Sequence, residues 1–258
     1  MKSQQAAPVS VPPQASALAA LHARRRPLVL AALLLALALF LIWLPSEQRA
    51  GLWRGLLGQR QLMAVLFLFG AITLSLLWAK GQELDNKVFL FVNLWGVRPK
   101  WLDGLMWITT QIGNGLTSFF LAIFLYLYID RSIAIGILLG TMTLWLLVEG
   151  TKWLTNRARP FTVHKSARTV GAQAPRRSFP SGHTAQAFFV ITVLIHHFEP
   201  GLLMAAPLYI AAGLVGLTRM YLGMHFPRDV VGGAVLGVIW GTVIALVDPY
   251  LLIFPPRV

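Results

Sequence analysis

The chain has no cysteine, which excludes disulfides and thiolate metal sites alike. Acidic residues are scarce, nine Asp and Glu against 22 Lys and Arg, and nowhere do carboxylates gather in the numbers that hold Mg²⁺. A Gly-rich phosphate loop of the Walker type is also missing. Charged residues make up only 12% of the chain and hydrophobic ones 57%, whereas soluble domains carry about a quarter charged. A soluble core cannot absorb that much apolar surface, so the excess faces lipid. The formal charge of +13 would suggest nucleic acid in a soluble protein. Here the basic residues fall in short loops between apolar runs, which points to lipid headgroups or an anionic substrate and not to nucleic acid.

A membrane span needs about 20 apolar residues, and the length allows one domain of six or seven helices. Candidate runs are Pro27–Leu44, Leu62–Ala79, Leu105–Ile129, Ile133–Glu149, His183–Phe198, Leu202–Leu217 and Asp229–Val247. They lack the alternation of barrel strands, and backbone groups in hydrocarbon must bond within their own segment, so the class is an all-α polytopic bundle of six to seven spans. Residues 1–26, ending in Arg24-Arg25-Arg26, read as a disordered basic tail. The run after them is too long for a usual signal core, and Pro45-Ser46-Glu47 is a poor cleavage site, so it is expected to stay as an anchor. Residues 27–99 form N-terminal membrane helices and an interfacial segment, 100–247 the core, and 248–258 a C-terminal tail. Within the second block, Leu84–Trp95 mixes Asp85, Asn86 and Lys87 with Phe89, Phe91 and Trp95, as a helix lying in the interface would. Gly233, Gly237 and Gly241 recur every four residues, as do Gly136 and Gly140, which favours close packing inside one bundle over a dimer face.

Three clusters interrupt this pattern. Lys152, six residues and Arg159-Pro160 leave the fourth run; Pro180-Ser181-Gly182-His183 enters the fifth; Arg219, five residues, His225, three residues and Asp229 join the sixth to the seventh. Counting spans puts all three on one side of the membrane. Each has an ordinary explanation, since basic residues at span ends snorkel and Ser-Gly is a routine turn. Together they supply what one reaction needs. Lys152, Arg159 and Arg219 bring positive charge, while Ser181 and the Gly182 N–H can donate to phosphate oxygens. His183 and His225 provide an acid and a nucleophile near neutrality, and Asp229, on the same face as His225 if that stretch is helical, can orient its imidazole.

Lys-x6-Arg-Pro, Pro-Ser-Gly-His and Arg-x5-His-x3-Asp resemble, in order, the three signature motifs of the type 2 phosphatidic acid phosphatase superfamily, and the likeness covers about residues 100–247. Phe179–Thr184 and Leu222–Asp229 are similar to the corresponding segments of bacterial phosphatidylglycerophosphate and undecaprenyl pyrophosphate phosphatases. Thr218 departs from the usual Ser before the Arg but keeps a hydroxyl. The first run has no counterpart in six-helix members. The resemblance implies a metal-free and cofactor-free lipid phosphatase in which His225 attacks phosphorus, Asp229 holds its tautomer, and His183 protonates the leaving group and then activates water. Lys152, Arg159, Ser181, Gly182 and Arg219 would hold the phosphate oxygens. Implied substrates are phosphatidylglycerophosphate, phosphatidate, undecaprenyl pyrophosphate or lipid A. Headgroup choice depends on loop shape and tail choice on a lateral cleft, and neither has a motif.

Two rivals stand beside this reading. A phosphotransferase would pass the phosphate from a polyprenyl pyrophosphate to another lipid such as lipid A. A phospholipid-binding transporter or flippase would use the basic cluster for binding alone, leaving the His225–Asp229 pair without a task. Among the other polar residues, Glu149 either pairs with Lys152 or marks the end of a span. His196-His197 falls on the opposite side from the motifs. His164, Arg168, Arg176 and Arg177 read as a solvated basic loop, and Asp103, Gln111 and Asn114 as either packing or site-lining residues. With seven spans, 17 of the 22 Lys and Arg share the motif side, which the positive-inside rule would make cytoplasmic. Nine of those 17 sit in the two motif loops, where an anion requires them in either orientation. The bacterial members that the chain resembles mostly face the periplasm. The expectation is therefore a bacterial inner-membrane protein with a periplasmic site.

Overall fold

The computed structural model describes residues 58–171 and 177–247, with three isolated earlier positions (Leu35, Ile42 and Ser46). The expected basic tail, the first apolar run, Arg176 and the C-terminal tail lie outside these residues. All regular structure among them is helical: α1 (Arg60–Ser75), α2 (Ala79–Leu94), α3 (Lys100–Thr110), α4 (Gly115–Tyr128), α5 (Arg131–Thr155), the single turn α6 (Pro160–Val163), α7 (Gly182–Phe198), α8 (Gly201–Tyr221) and α9 (Pro227–Val247).

By length and composition, three helical stretches can cross a membrane: Arg131–Val163, Gly201–Tyr221 and Pro227–Leu246. The count rises to five if each bent pair is one span, α1 with α2 at 93° and α3 with α4 at 57°. The expected six to seven is thus not reached among the described residues. One reason is that α7 has only 17 residues. Another is that the first apolar run lies outside them; the run Leu105–Ile129 is counted within the five as a bent pair and is not one helix. It breaks at a 3₁₀ turn, Gln111–Gly113, and restarts where the Asn114 side chain accepts from the Leu116 N–H at 3.1 Å. The outward surface is rich in large apolar side chains, Leu203 being 92% exposed, as a lipid-facing bundle requires.

The first half of α5 is fixed by Asp130, whose carboxylate accepts from the Ser132 and Ile133 N–H groups at 2.7 and 3.1 Å. Its far end stops at Asn156, in the left-handed region at φ 50. The closest pairing in the bundle is α7 against α9. A Cβ at Gly237 would stand 2.3 Å from the Ala185 carbonyl oxygen, and one at Gly233 2.5 Å from that of Ser181. The glycine stripe therefore packs inside this bundle, and Gly140 does likewise against Phe189.

The aromatic anchors expected in Leu84–Trp95 are corrected at one position, Phe89. Helix α2 does turn sharply away from α1, but Asp85, Phe89 and Asn93, one face at four-residue spacing, are buried in protein. Phe89 is core, not an anchor, and packs edge-on against Phe226. Of the expected anchors, Phe91 and Trp95, stacked at 5.2 Å, stay exposed. The polar groups are drawn inward because partners await them. Asn93 donates to the carbonyls of Arg168 and Tyr221 at 2.9 Å, and accepts from the Arg168 N–H at 2.8 Å.

Candidate active site

The three motifs end up side by side. Helix α5 delivers Lys152 near its last turn, α7 begins with Gly182 and His183, α8 ends with Arg219, and α9 holds Asp229 in its first turn. A Cβ at Gly182 would lie 3.8 Å from Lys152 Nζ, so the bare backbone there faces the ammonium. Ser181 donates its N–H to the Asp229 carbonyl at 2.9 Å, tying the second motif to the third, and its hydroxyl accepts from Thr184 at 2.8 Å. Arg219, His225, Lys152 and Arg159 all lie within electrostatic reach of His183. Every site residue expected from sequence is therefore brought into one cluster.

His225 does not sit on a helix. It precedes α9, in a turn where Met224 and His225 donate to the Arg219 carbonyl at 2.9 and 3.2 Å. Asp229 reaches back from the first turn of α9, and its Oδ2 accepts from the Phe226 N–H at 2.8 Å, the reciprocal half of a helix cap. The expected pairing thus arises from a helix start and not from a shared helical face. His225 Nδ1 is 3.7 Å from Asp229 Oδ2 and has no hydrogen-bond partner among the described residues, and both side chains are sealed from solvent. Burial pushes the His225 imidazole down to about 3, against the opposing pull of Asp229, so the ring is neutral at physiological pH.

The cations are held in different ways. Lys152 Nζ pairs with Glu149 Oε1 at 2.8 Å, which decides between the two readings of Glu149. Arg159 is buried beside Met224 Sδ at 3.8 Å. Arg219 donates to Thr110 Oγ1 at 3.0 Å, while its Nε is buried without a partner among the described residues. The loop after α6 is less solvated than expected: His164 bonds Asn86 at 3.0 Å and stacks on Phe89, and Arg168 pairs with Asp103. Asp103 also accepts from the Tyr221 hydroxyl at 2.7 Å, whereas Gln111 and Asn114 bond each other at the 3₁₀ turn, so these three are structural. His196 and His197 lie at the other end of α7 from His183, beside the start of α5.

Sequence reasoning missed Arg157. Its NH1 donates to Asp229 Oδ1 at 2.6 Å, and NH2 reaches Asp85 Oδ2 and Gln82 Oε1, the latter at 2.8 Å. Ser178, also unflagged, donates its hydroxyl to Asp229 Oδ2. No sequence signal separated Arg157 from the other basic residues around it.

Two cavities meet at Lys152 and Glu149. One, of about 630 Å³, is polar and lined by Arg157, Arg159, Thr162 and Arg177. The other, of about 540 Å³, is mostly apolar, with Met142, Leu144, Trp145 and Val148 on one wall and Gly182 and His183 at its end. Among the described residues there is no group of three His, Cys, Asp or Glu placed to hold a metal ion.

Comparison with known proteins agrees with the motifs. The family model described as the PAP2 superfamily matches residues 133–252, which include every residue of the cluster from Lys152 to Asp229. Phosphatidylglycerophosphatase B of Bacillus subtilis is 32% identical over 198 residues, spanning 67% of this chain and 88% of that protein. Undecaprenyl-diphosphatase of Sulfolobus acidocaldarius is 27% identical over 183 residues, 68% of this chain and 84% of that one. The crystal structure of a transmembrane PAP2-type phosphatidylglycerolphosphate phosphatase from Bacillus subtilis shares the fold, with TM-score 0.62 at 24% identity over 75% of this chain and 98% of that one. Aquifex aeolicus LpxE superposes with TM-score 0.55 at 34% identity, covering 61% and 92%. The chain belongs to the PAP2 superfamily, and it is an integral membrane phosphatase.

Proposed function

We propose that the chain hydrolyses a phosphomonoester or pyrophosphate on a membrane lipid through a phosphohistidine at His225. The observation that carries this is the cluster itself: a sealed His225–Asp229 pair beside Arg159 and Arg219, with a second histidine, His183, within reach of both cations and of Lys152. With Nδ1 facing the carboxylate, Nε2 is the nitrogen free to attack phosphorus. As the P–O bond breaks, His183 gives its proton to the leaving oxygen. It then takes a proton from water, whose oxygen attacks the phosphohistidine and frees inorganic phosphate and His225. Lys152, Arg159, Arg219, the Ser181 hydroxyl and the Gly182 N–H steady the oxygens through both steps, each donor worth roughly 3–4 kcal/mol in a water-poor site. The three cations take the place that a metal holds in other phosphatases.

The apolar cavity ending at Gly182 and His183 favours a lipid over a soluble ester, since a chain lying between α4, α5 and α7 would bring its headgroup to Lys152. Similarity to a phosphatidylglycerophosphatase and an undecaprenyl-diphosphatase supports substrates of those two kinds; phosphatidate and lipid A share the same phosphate chemistry. Antiparallel geometry supports six crossings among the described residues. The chain runs toward the site along α5 and α8 and away from it along α4, α7 and α9, which favours α7 as a further crossing, and α1 packs on α9. We place the site on the periplasmic face of a bacterial inner membrane, and a reporter fused within residues 165–175 reads that face directly. The activity is tested by phosphate release from these four lipids by purified protein. Turnover is expected to persist in excess EDTA, to need no lipid acceptor, and to be blocked by orthovanadate, which mimics the pentacoordinate state. Loss on chelation with recovery on Mg²⁺ would refute the metal-free route, and acceptor-dependent release would make the protein a transferase.

A further inference from the structure

We infer that Arg157 is a positioning residue for the His225–Asp229 pair, held in place by Asp85 of α2. This deepens the proposed function and rests on its assignment of His225 and Asp229. The two oxygens of Asp229 have different partners. Oδ1 is taken by Arg157 NH1 at 2.6 Å, whereas Oδ2 accepts from Phe226 N at 2.8 Å and the Ser178 hydroxyl, and faces His225 Nδ1 at 3.7 Å. Arg157 thereby fixes the roll of the carboxylate and turns Oδ2 toward the ring. It also acts through its backbone, because its carbonyl accepts the Ser178 N–H at 2.8 Å and so places the second donor.

Arg157 is itself fixed from three directions. NH2 bonds Asp85 and Gln82, both on α2, and the guanidinium lies 4.5 Å over the Phe226 ring. Asp85 in turn accepts from Arg228 at Nε, 2.7 Å, and at N, 3.1 Å. The result is a chain of alternating charge, Asp229, Arg157, Asp85, Arg228, with buried carboxylates and half-buried guanidinium groups, which closes on itself because Arg228 precedes Asp229 in sequence. Each carboxylate meets two guanidinium groups or one and a ring of donors, so no charge is buried uncompensated. Arg157 lines the polar cavity beside Arg159, which makes a direct phosphate contact the competing role. Yet both terminal nitrogens are engaged by carboxylates, and the planar fork is occupied in a way a phosphate oxygen would have to break.

The test uses the purified full-length enzyme with Arg157→Ala, Arg157→Lys and Asp85→Asn, the last close in shape to the native residue. Positioning predicts a kcat loss of roughly 10- to 100-fold for Arg157→Ala, the range seen when partners that orient functional histidines are removed, with KM and vanadate inhibition near wild type. Arg157→Lys, which has no fork, recovers little of it. Added guanidinium ion restores part of the Arg157→Ala rate, while NaCl at equal ionic strength does not. Asp85→Asn lowers kcat on its own and adds little to Arg157→Ala, since both act through one chain. If Arg157→Ala does not fold, a kcat-only loss in Asp85→Asn supports the inference and a wild-type kcat there overturns it. A rise in KM and in the vanadate inhibition constant at constant kcat overturns it too, making Arg157 a phosphate ligand. His225→Ala is assayed alongside: activity in that variant strikes at the proposed nucleophile, whereas an inactive His225→Ala beside a fully active Arg157→Ala strikes only at this inference.

Discussion

Replacing Gly237 by Ala adds one methyl at the point where α7 and α9 come closest. The new Cβ would lie 2.3 Å from the Ala185 carbonyl oxygen and 2.9 Å from the Phe189 nitrogen, both backbone atoms that no rotamer change can move away. The helices must separate, and overpacking of this kind costs about 1–3 kcal/mol. The 2.3 Å backbone contact puts the cost in the upper part of that range, about 2–3 kcal/mol, and alanine returns about 1 kcal/mol through its better helix propensity, leaving a net loss of about 1–2 kcal/mol. For a body of this size that is a fall in Tm of roughly 2–8 °C. Gly213 on α8 is the internal control, because a Cβ there meets nothing within 4 Å. Gly213→Ala should hold or raise Tm by the propensity gain alone. Thermal unfolding in one detergent, followed by tryptophan fluorescence or by loss of solubility, measures both variants. Activity of Gly237→Ala at a permissive temperature should also fall, since α7 carries His183 and α9 carries Asp229. Equal shifts of the same sign in the two variants would refute the idea that this seam holds the site together.

Other expectations follow from the cavity and from the buried imidazole. Gly115→Phe, at the apolar cavity where only Thr141 is near, should raise KM for a long-chain lipid phosphate and leave a short-chain soluble analogue unaffected; equal effects on both would remove the cavity's role in tail binding. His225 has a folded-state value of about 3 against 6.5 when exposed, so protonation favours the unfolded chain as pH falls. Its contribution to stability is fully present above about pH 6.5 and is lost between there and pH 3. His225→Gln should therefore flatten the acid side of the Tm–pH curve in that window, and an unchanged slope would contradict the burial argument.

The site was legible in sequence to a greater degree than the fold around it. Lys152, Arg159, Ser181, Gly182, His183, Arg219, His225 and Asp229 stand out because few residue types can hold and transfer a phosphate, and because span counting puts them on one side. Arg157 was invisible for the opposite reason: between two basic motif residues at a helix end, its composition says only that it snorkels. Asp85 was misread because an amphipathic helix presents the same pattern whether its polar face meets headgroups or a buried guanidinium. The break at Gln111–Gly113 lay inside an unbroken apolar run, and only Asn114 before Gly115 carried the signature of a helix start. Nothing in Leu76-Leu77-Trp78 marked the 93° turn between α1 and α2, which is set by where α2 finds partners for Asp85 and Asn93.

The most direct measurement of the central claim is rapid acid-free quenching of the enzyme with ³²P-labelled lipid substrate, followed by analysis of the trapped phosphoprotein. A phosphoenzyme is expected that is labile in acid and stable in base, maps to the peptide holding His225, and forms within a single turnover. No such species is expected in His225→Ala, with the variant still folded and membrane-inserted. A base-labile phosphoprotein, label on another residue, or wild-type turnover in His225→Ala would contradict that claim.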